Sequence, residues 1–125
     1  MKNIISTDKA PAAIGPYSQA IEVNGLLFTS GMIPIDPSTG LLVTGTIEEQ
    51  AERALSNLQA LLTESGSSMN KVIKTTVFIK NMDDFGKVNE IYAKFFTQDY
   101  PARSCVEVAR LPKDVLIEIE AIAQI

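Results

Sequence analysis

The fold is decided by the stretch Pro101-Ala102-Arg103-Ser104-Cys105-Val106-Glu107-Val108, followed after a short break by Val115-Leu116-Ile117-Glu118-Ile119-Glu120-Ala121. Both runs are short, rich in β-branched residues and bounded by turn formers, which predicts two β-strands. Side chains alternate between the faces of a strand, so Arg103, Cys105 and Glu107 share one face, and Glu118 and Glu120 share a face of the second strand. Charged side chains among apolar neighbours are costly unless they are paired or functional, which indicates a candidate site.

Upstream, the sequence predicts a hairpin. Asn24-Gly25 separates the runs Tyr17–Val23 and Leu26–Ser30. A two-residue type I′ turn needs positive φ at both central positions, and Asn-Gly is the pair that best tolerates this. After a turn-rich connection, Leu41–Val43 is a candidate for one more short strand.

Two helices and a strand are predicted between the hairpin and the C-terminal strands. Thr46-Ile47-Glu48-Glu49 is a capping box that begins the first helix. Its apolar stripe comprises Ile47, Ala51, Ala54, Leu55, Leu58, Leu61 and Leu62. A strand at Val72–Ile79 precedes a second helix that begins at Asn81 and ends before Tyr100-Pro101, because a residue before proline disfavours helical geometry. The second stripe is Phe85, Val88, Tyr92, Phe95 and Phe96.

Since each helix has a single apolar face, both are expected on one side of a mixed sheet, which predicts a two-layer α+β domain spanning residues 1–125. Strand 72–79 carries apolar residues on both faces, with Ile73, Val77 and Ile79 on one and Val72 and Phe78 on the other. A second apolar face that no helix covers requires a partner chain. A homo-oligomer is therefore expected.

Composition excludes several kinds of chemistry. The chain has no histidine and one cysteine, so histidine-based catalytic pairs and zinc sites of nitrogen and sulfur ligands are excluded. No Gly-rich phosphate loop is present, and the net charge of −4 argues against nucleic acid as the main partner. The start lacks the apolar core of a signal peptide and no run is long enough to span a membrane, so a cytoplasmic protein is expected. Because these ligand residues are missing, no metal or cofactor is expected.

Two ordered motifs resemble a known family. The first motif comprises Pro101–Val115 and Ile117–Ala123. It is similar to the C-terminal signature of the RidA (YjgF) proteins, the enamine/imine deaminases. Ala10–Ala20, followed by Thr29-Ser30-Gly31, resembles their N-terminal stretch. The resemblance implies a chorismate-mutase-like fold, assembled as a homotrimer with the sheets facing inward and sites between subunits. It also implies cofactor-free hydrolysis of 2-aminoacrylate or 2-iminobutanoate to 2-oxo acids and ammonia.

Arg103 and Glu118 are the candidate catalytic residues. The planar guanidinium of Arg103 suits a substrate carboxylate, although an arginine at such a position can equally be an ordinary ion-paired residue. A carboxylate in partly apolar surroundings has a raised pKa, which suits general acid and base work near neutrality. The family motif assigns the handling of water to Glu118. Glu120 either assists it or pairs with a cation.

The remaining candidates line the substrate pocket by resemblance to the family. Cys105 shares a face with Arg103, and without a histidine to activate it a nucleophilic role is not expected. Tyr17 closes the pocket, and Ser30 and Gly31 offer backbone groups to the ligand, since glycine lets a backbone come close. Phe85 and Asn89 are ordinary helix residues with no predicted role.

Three questions stay open at the level of sequence. Residues 103–108 and 115–123 could pair as a hairpin, which would set Cys105 near Glu118, whereas the family fold separates them, and the family arrangement is preferred. Whether Arg103 and Glu118 of one site belong to one subunit is undecided. RNA cleavage and non-catalytic binding of small carboxylates or of a protein partner are the alternative functions.

Overall fold

A computed structural model describes residues 1–125. Six strands form one mixed sheet in the order β1-β2-β3-β6-β4-β5, with β4 and β5 parallel and every other neighbouring pair antiparallel. The strands are β1 (Asn3–Ile5), β2 (Ala20–Val23), β3 (Leu26–Thr29), β4 (Val72–Ile79), β5 (Ala102–Glu107) and β6 (Ile117–Gln124), and the helices are α1 (Ile47–Glu64) and α2 (Phe85–Phe95). The expected α+β domain with two helices and a mixed sheet is confirmed.

Helix α1 begins and packs as its sequence predicts. The Thr46 hydroxyl accepts the Glu49 N–H at 3.2 Å, and the Glu49 carboxylate reaches back to the Thr46 N–H, which completes the capping box. Such a cap is worth about 1 kcal/mol. All seven residues of the predicted α1 stripe are buried, and they join the inward side chains of β4 and β6 in one core.

The Asn24-Gly25 turn is confirmed, since both residues have positive φ, 52° and 77°. The strand before it begins at Ala20 rather than Tyr17. The predicted strand at Leu41–Val43 is wrong, because that segment makes only a single bridge, between Leu42 and Ile35. Strand β1, at the sheet edge, was not predicted.

The bounds of α2 differ from the prediction at both ends. Asn81 caps a short 3₁₀ helix, Met82–Asp84, by accepting the Asp83 N–H, and α2 starts only at Phe85. The helix ends at Phe95, before the proline can act, because Phe96 turns to an extended conformation that buries its ring. The ring lies 4.5 Å from that of Tyr92, which stabilises this end.

The two faces of the sheet differ in what covers them. A bulge between Val72 and Lys74 turns Val72 into the core and leaves Ile73 exposed, which corrects the predicted placement of this pair. The face away from the helices carries Phe28, Phe78, Val106 and Ile122, and 40% of Phe28 and 42% of Val106 is exposed. No helix of the chain has the length and apolar character needed to cross a membrane.

Candidate functional site

A cavity of about 440 Å³ lies where the loops before β2 and after β3 meet the start of β6. Four of the predicted site residues, Tyr17, Ser30, Gly31 and Glu118, line it. The rest of the wall is contributed by Pro11, Ala12, Ile14, Gln19, Met32, Ile33, Ile35, Pro112 and Lys113. A volume of this size suits a small organic ligand.

Glu118 reaches the cavity because the chain becomes irregular beside it. The pairing of β3 with β6 ends at Phe28, and the Thr29 hydroxyl accepts the Ala121 N–H at 2.9 Å in place of a backbone carbonyl. Pairing resumes at Met32, whose N–H donates to the Ile119 carbonyl at 2.7 Å. Gly31 lies between these two points, opposite the Glu118 side chain.

The Glu118 carboxyl occupies the space that a side chain at residue 31 would fill. A methyl group added to Gly31 would lie 2.6 Å from Glu118 Cδ and would overlap Oε2. Because such a contact is impossible, glycine at this position is a condition for the observed placement of the carboxyl. The backbone of residue 31 and the carboxyl of Glu118 therefore form one wall of the cavity.

Burial, with a smaller contribution from the neighbouring Glu120 carboxylate, raises the pKa of Glu118 above the ordinary value of 4.5. Both causes act in the same direction, because burial removes the Glu118 carboxylate from water and Glu120 repels its negative charge. Glu120 itself is exposed on the same face of β6. A carboxyl of this kind can accept and return a proton nearer to neutrality than an exposed glutamate can.

The other two cavity residues from the predicted set have defined partners. The Ser30 hydroxyl donates to the Ser18 carbonyl at 2.6 Å, and the Ser30 N–H donates to the Gln19 carbonyl at 2.9 Å. These bonds fix the segment that carries Tyr17, whose side chain is 54% exposed at the cavity mouth. Ser30 thus supports the cavity wall as well as lining it.

Arg103 lies against helix α2. Its guanidinium carbon is 4.8 Å from the centre of the Tyr92 ring and 5.3 Å from that of Phe85, and its Nη1 donates to Asn89 Oδ1 at 2.8 Å. Tyr92 is held in turn by a 2.8 Å hydrogen bond to the buried Thr75 hydroxyl. No carboxylate of the chain pairs with Arg103, since the one ion pair in the chain joins Arg110 to Asp114.

The single chain does not bring Arg103 and Cys105 to the cavity. Arg103 lies beside Thr75, and Cys105 beside Val77, on the helix-covered face of the sheet, whereas Glu118 is opposite Phe78 on the other face. β4 separates β5 from β6, so the hairpin alternative is excluded and the preferred family arrangement of these strands is confirmed. Burial raises the pKa of the Cys105 thiol, and the positive charge of Arg103 offsets only part of this rise. The thiol is therefore protonated at neutral pH.

Several contributors were missed at the level of sequence. Arg103 is held by Phe85, Asn89 and Tyr92, which follow the helical spacing i, i+4, i+7. The signal available in the sequence was a polar Asn within that apolar helix face. Lys113, which lines the cavity, and the adjacent Asp114 have φ of 57° and 56°, a left-handed pair without glycine that sequence does not reveal. No group of three or more His, Cys, Asp or Glu side chains is arranged to hold a metal ion.

The chain was then compared with known proteins. Residues 7–125 match the family model described as Endoribonuclease L-PSP, the RidA/YjgF family. The 2-iminobutanoate/2-iminopropanoate deaminase of Salmonella typhimurium is 51% identical over 126 residues, covering 98% of each chain. Among solved structures, YyfA of Yersinia pestis, from the conserved Rid family, superposes with a TM-score of 0.98 at 51% identity over the full length of both chains. Escherichia coli TdcF with bound serine superposes with a TM-score of 0.94 at 48% identity, covering 98% of each chain.

The fold and site thus define a two-layer α+β protein with a small-ligand cavity that contains a half-buried carboxyl. Since the match extends over nearly the entire sequence, the chain belongs to the RidA/YjgF family.

Proposed function

We propose that this protein hydrolyses reactive imines, namely the imine tautomer of the enamine 2-aminoacrylate and 2-iminobutanoate, to 2-oxo acids and ammonia. The observation that carries the proposal is the Glu118 carboxyl, which has a raised pKa and lies against Gly31 in the wall of the cavity. The activity named for the Salmonella relative and the serine bound to TdcF support a small amino-acid-derived substrate.

In the proposed reaction, the enamine first tautomerises to the imine, whose C2 carbon is electrophilic. Glu118 removes a proton from water as the water oxygen bonds to C2, and the imine nitrogen takes up a proton from solvent to give a carbinolamine. The carbon–nitrogen bond then breaks as Glu118 returns its proton to the departing nitrogen and the hydroxyl loses its proton to solvent, leaving the 2-oxo acid, ammonia and the Glu118 carboxylate. General base catalysis of this kind contributes about 10²–10⁴-fold.

The substrate carboxylate is assigned to Arg103 of a neighbouring subunit. One guanidinium N–H of Arg103 is engaged by Asn89, and without an ion pair the others remain available for an anion. Arg103 lies on edge strand β5, and the face of the sheet away from the helices exposes Phe28 and Val106. A homotrimer that covers this face and sets β5 of one subunit at the cavity of the next would complete the site, with Cys105 beside Arg103.

The test is a coupled assay in which a dehydratase or an amino-acid oxidase generates the imine and the release of 2-oxo acid is followed. Wild-type protein is expected to accelerate release above the rate in water. A rate equal to that of the protein-free control would remove the enzymatic proposal and leave a binder of small carboxylates.

The description of the family model names a second candidate, cleavage of RNA. The net charge of −4 and the carboxylate in the cavity oppose the binding of a polyanion. RNA cleavage by nuclease-free wild-type protein, retained in Arg103→Ala, would favour this function over deamination.

A further inference from the structure

We infer that Asn57, a buried residue of α1 outside the cavity, sets the selectivity of the cavity for the substrate side chain by holding the apolar wall at Ile33 and Ile35. The identity of the ligand class rests on the proposed function, whereas the positioning role rests on the contacts of Asn57 alone. Asn57 is a positioning residue, since its side chain acts through the loop and does not line the cavity.

The side-chain amide of Asn57 is completely buried and every hydrogen-bonding group of it is used. Nδ2 donates to the Ile33 carbonyl at 3.0 Å and to the Ile35 carbonyl at 2.8 Å. Oδ1 accepts from Arg53 Nε at 3.1 Å. Because Arg53 can only donate, this contact fixes which end of the amide faces the loop.

The loop after Met32 depends on this clamp. Beyond the Met32–Ile119 bridge the chain leaves the sheet. The loop then forms a short turn, in which the Ile35 N–H donates to the Ile33 carbonyl at 2.8 Å. Its other backbone contacts are with residues 41–43. Asn57 alone joins this loop to α1 by hydrogen bonds from a side chain. Both residues whose carbonyls it binds line the cavity.

The catalytic carboxyl does not share this dependence. Glu118 lies in β6, which pairs with β4 from Ile117 to Ala123, and its carboxyl lies at the Gly31 side of the cavity. Displacing the 33–35 loop therefore changes the space for the substrate side chain while leaving the carboxyl in place. A hydrophobic pocket discriminates between ligands by their methylene groups, which makes the wall position a determinant of selectivity.

The test measures binding of two products, pyruvate and 4-methyl-2-oxopentanoate, by calorimetry, with no turnover required. Asn57→Asp keeps the shape of the side chain but removes both donors and sets an anion against two carbonyls. The ratio of the two affinities is expected to change about five- to tenfold, almost entirely through the larger acid, with pyruvate affinity within about twofold of wild type.

Two further variants separate positioning from stability. Arg53→Met removes the partner of Asn57 Oδ1 from a partly exposed site and is expected to move the ratio in the same direction by about twofold, with Arg53→Lys restoring part of the effect. Leu62→Val, in the buried stripe of the same helix, lowers the melting temperature without touching the loop and should leave the ratio unchanged.

An unchanged ratio in folded Asn57→Asp overturns the inference, as does an equal loss of affinity for both acids. If Asn57→Asp does not fold, an unchanged ratio in Arg53→Met has the same meaning. Failure of wild-type protein to bind either acid also overturns it. Wild type that binds both acids yet does not accelerate imine hydrolysis defeats the proposed function alone, because the selectivity measurement stands without catalysis.

Discussion

The cavity around Glu118 and the edge strand around Arg103 are built by different means. Glu118 is placed by backbone geometry, through an irregular pairing beside β6 and a glycine that leaves room for its carboxyl. Arg103 is placed by side chains, through two aromatic rings and Asn89 of α2. Both side chains are held by contacts within the chain, but the sheet separates them, so a single chain does not bring both groups to one small ligand.

This comparison shows that a well-defined position for each side chain within one chain does not by itself identify where a reaction occurs. A half-buried arginine without a carboxylate partner and a carboxyl with a raised pKa are both unfavourable in isolation. A substrate that brings a carboxylate to the first and an electrophilic carbon to the second would satisfy both. This complementarity is the physical basis of the proposed composite site.

The largest effect is expected from the edge strand. Arg103→Ala should abolish the acceleration of imine hydrolysis, because the bound anion loses its charge-assisted hydrogen bonds, and Arg103→Lys should recover only a minor part. Arg110→Ala, which removes the exposed partner of Asp114, is the matched arginine control and should retain wild-type rates. Equal losses in Arg103→Ala and Arg110→Ala would point to net charge rather than to a specific anion site.

Replacing the general base Glu118 should lower the rate of imine hydrolysis less than replacing Arg103 does. Glu118→Gln is expected to lower kcat by about 10²–10⁴-fold while binding of a 2-oxo acid persists, because the amide keeps the shape but cannot accept the proton from water. Single-turnover rates and calorimetric affinities separate the two effects. A variant that turns over normally would show that Glu118 is part of the scaffold.

Gly31→Ala tests the backbone placement of the carboxyl. The added methyl must displace Glu118 Cδ, which would lie 2.6 Å away, and a misplacement of about 1 Å costs about 10²-fold in rate. Gly86→Ala is the matched control, since nothing lies within 4 Å of its added methyl. Its rate should be unchanged. An active Gly31→Ala would mean that the position of the carboxyl is not limiting.

A smaller effect is expected from Glu120→Gln, as a shift in pH dependence. Glu120 contributes to the raised pKa of Glu118, so its neutralisation lowers that pKa. The base form of Glu118 then persists to lower pH, and the acidic limb of the kcat/KM profile moves to lower pH. A limb that stays in place, or moves upward, would contradict the assignment of Glu118 as the titrating base.

The elements that depend on local signals could be predicted from the sequence. The Asn24-Gly25 turn and the Thr46–Glu49 box are each decided within four residues, and both are confirmed. The failures come from contacts between distant segments. The bulge that exchanges Val72 and Ile73 depends on the register with β6, and no local pattern reveals it.

The candidate site divides in the same way. Motif resemblance singled out Glu118, Gly31, Ser30 and Tyr17, which the structure gathers at one cavity. It could not show that Arg103 faces the opposite side of the sheet, because that placement follows from the register of β5 against β4. The role of Asn57 could not be predicted for another reason. The function of a buried amide beside an apolar stripe cannot be assigned until the loop that it binds is known.

The most direct test of the composite site is subunit complementation. By this account Arg103→Ala protein is inactive and Glu118→Gln protein keeps only a small residual activity, and the two proteins are unfolded together and refolded as a 1:1 mixture. If each site takes Arg103 from one subunit and Glu118 from the next, about a quarter of the sites are intact after random assembly and about a quarter of wild-type activity returns. A mixture with no more activity than the sum of its separately refolded parents would contradict a site shared between subunits.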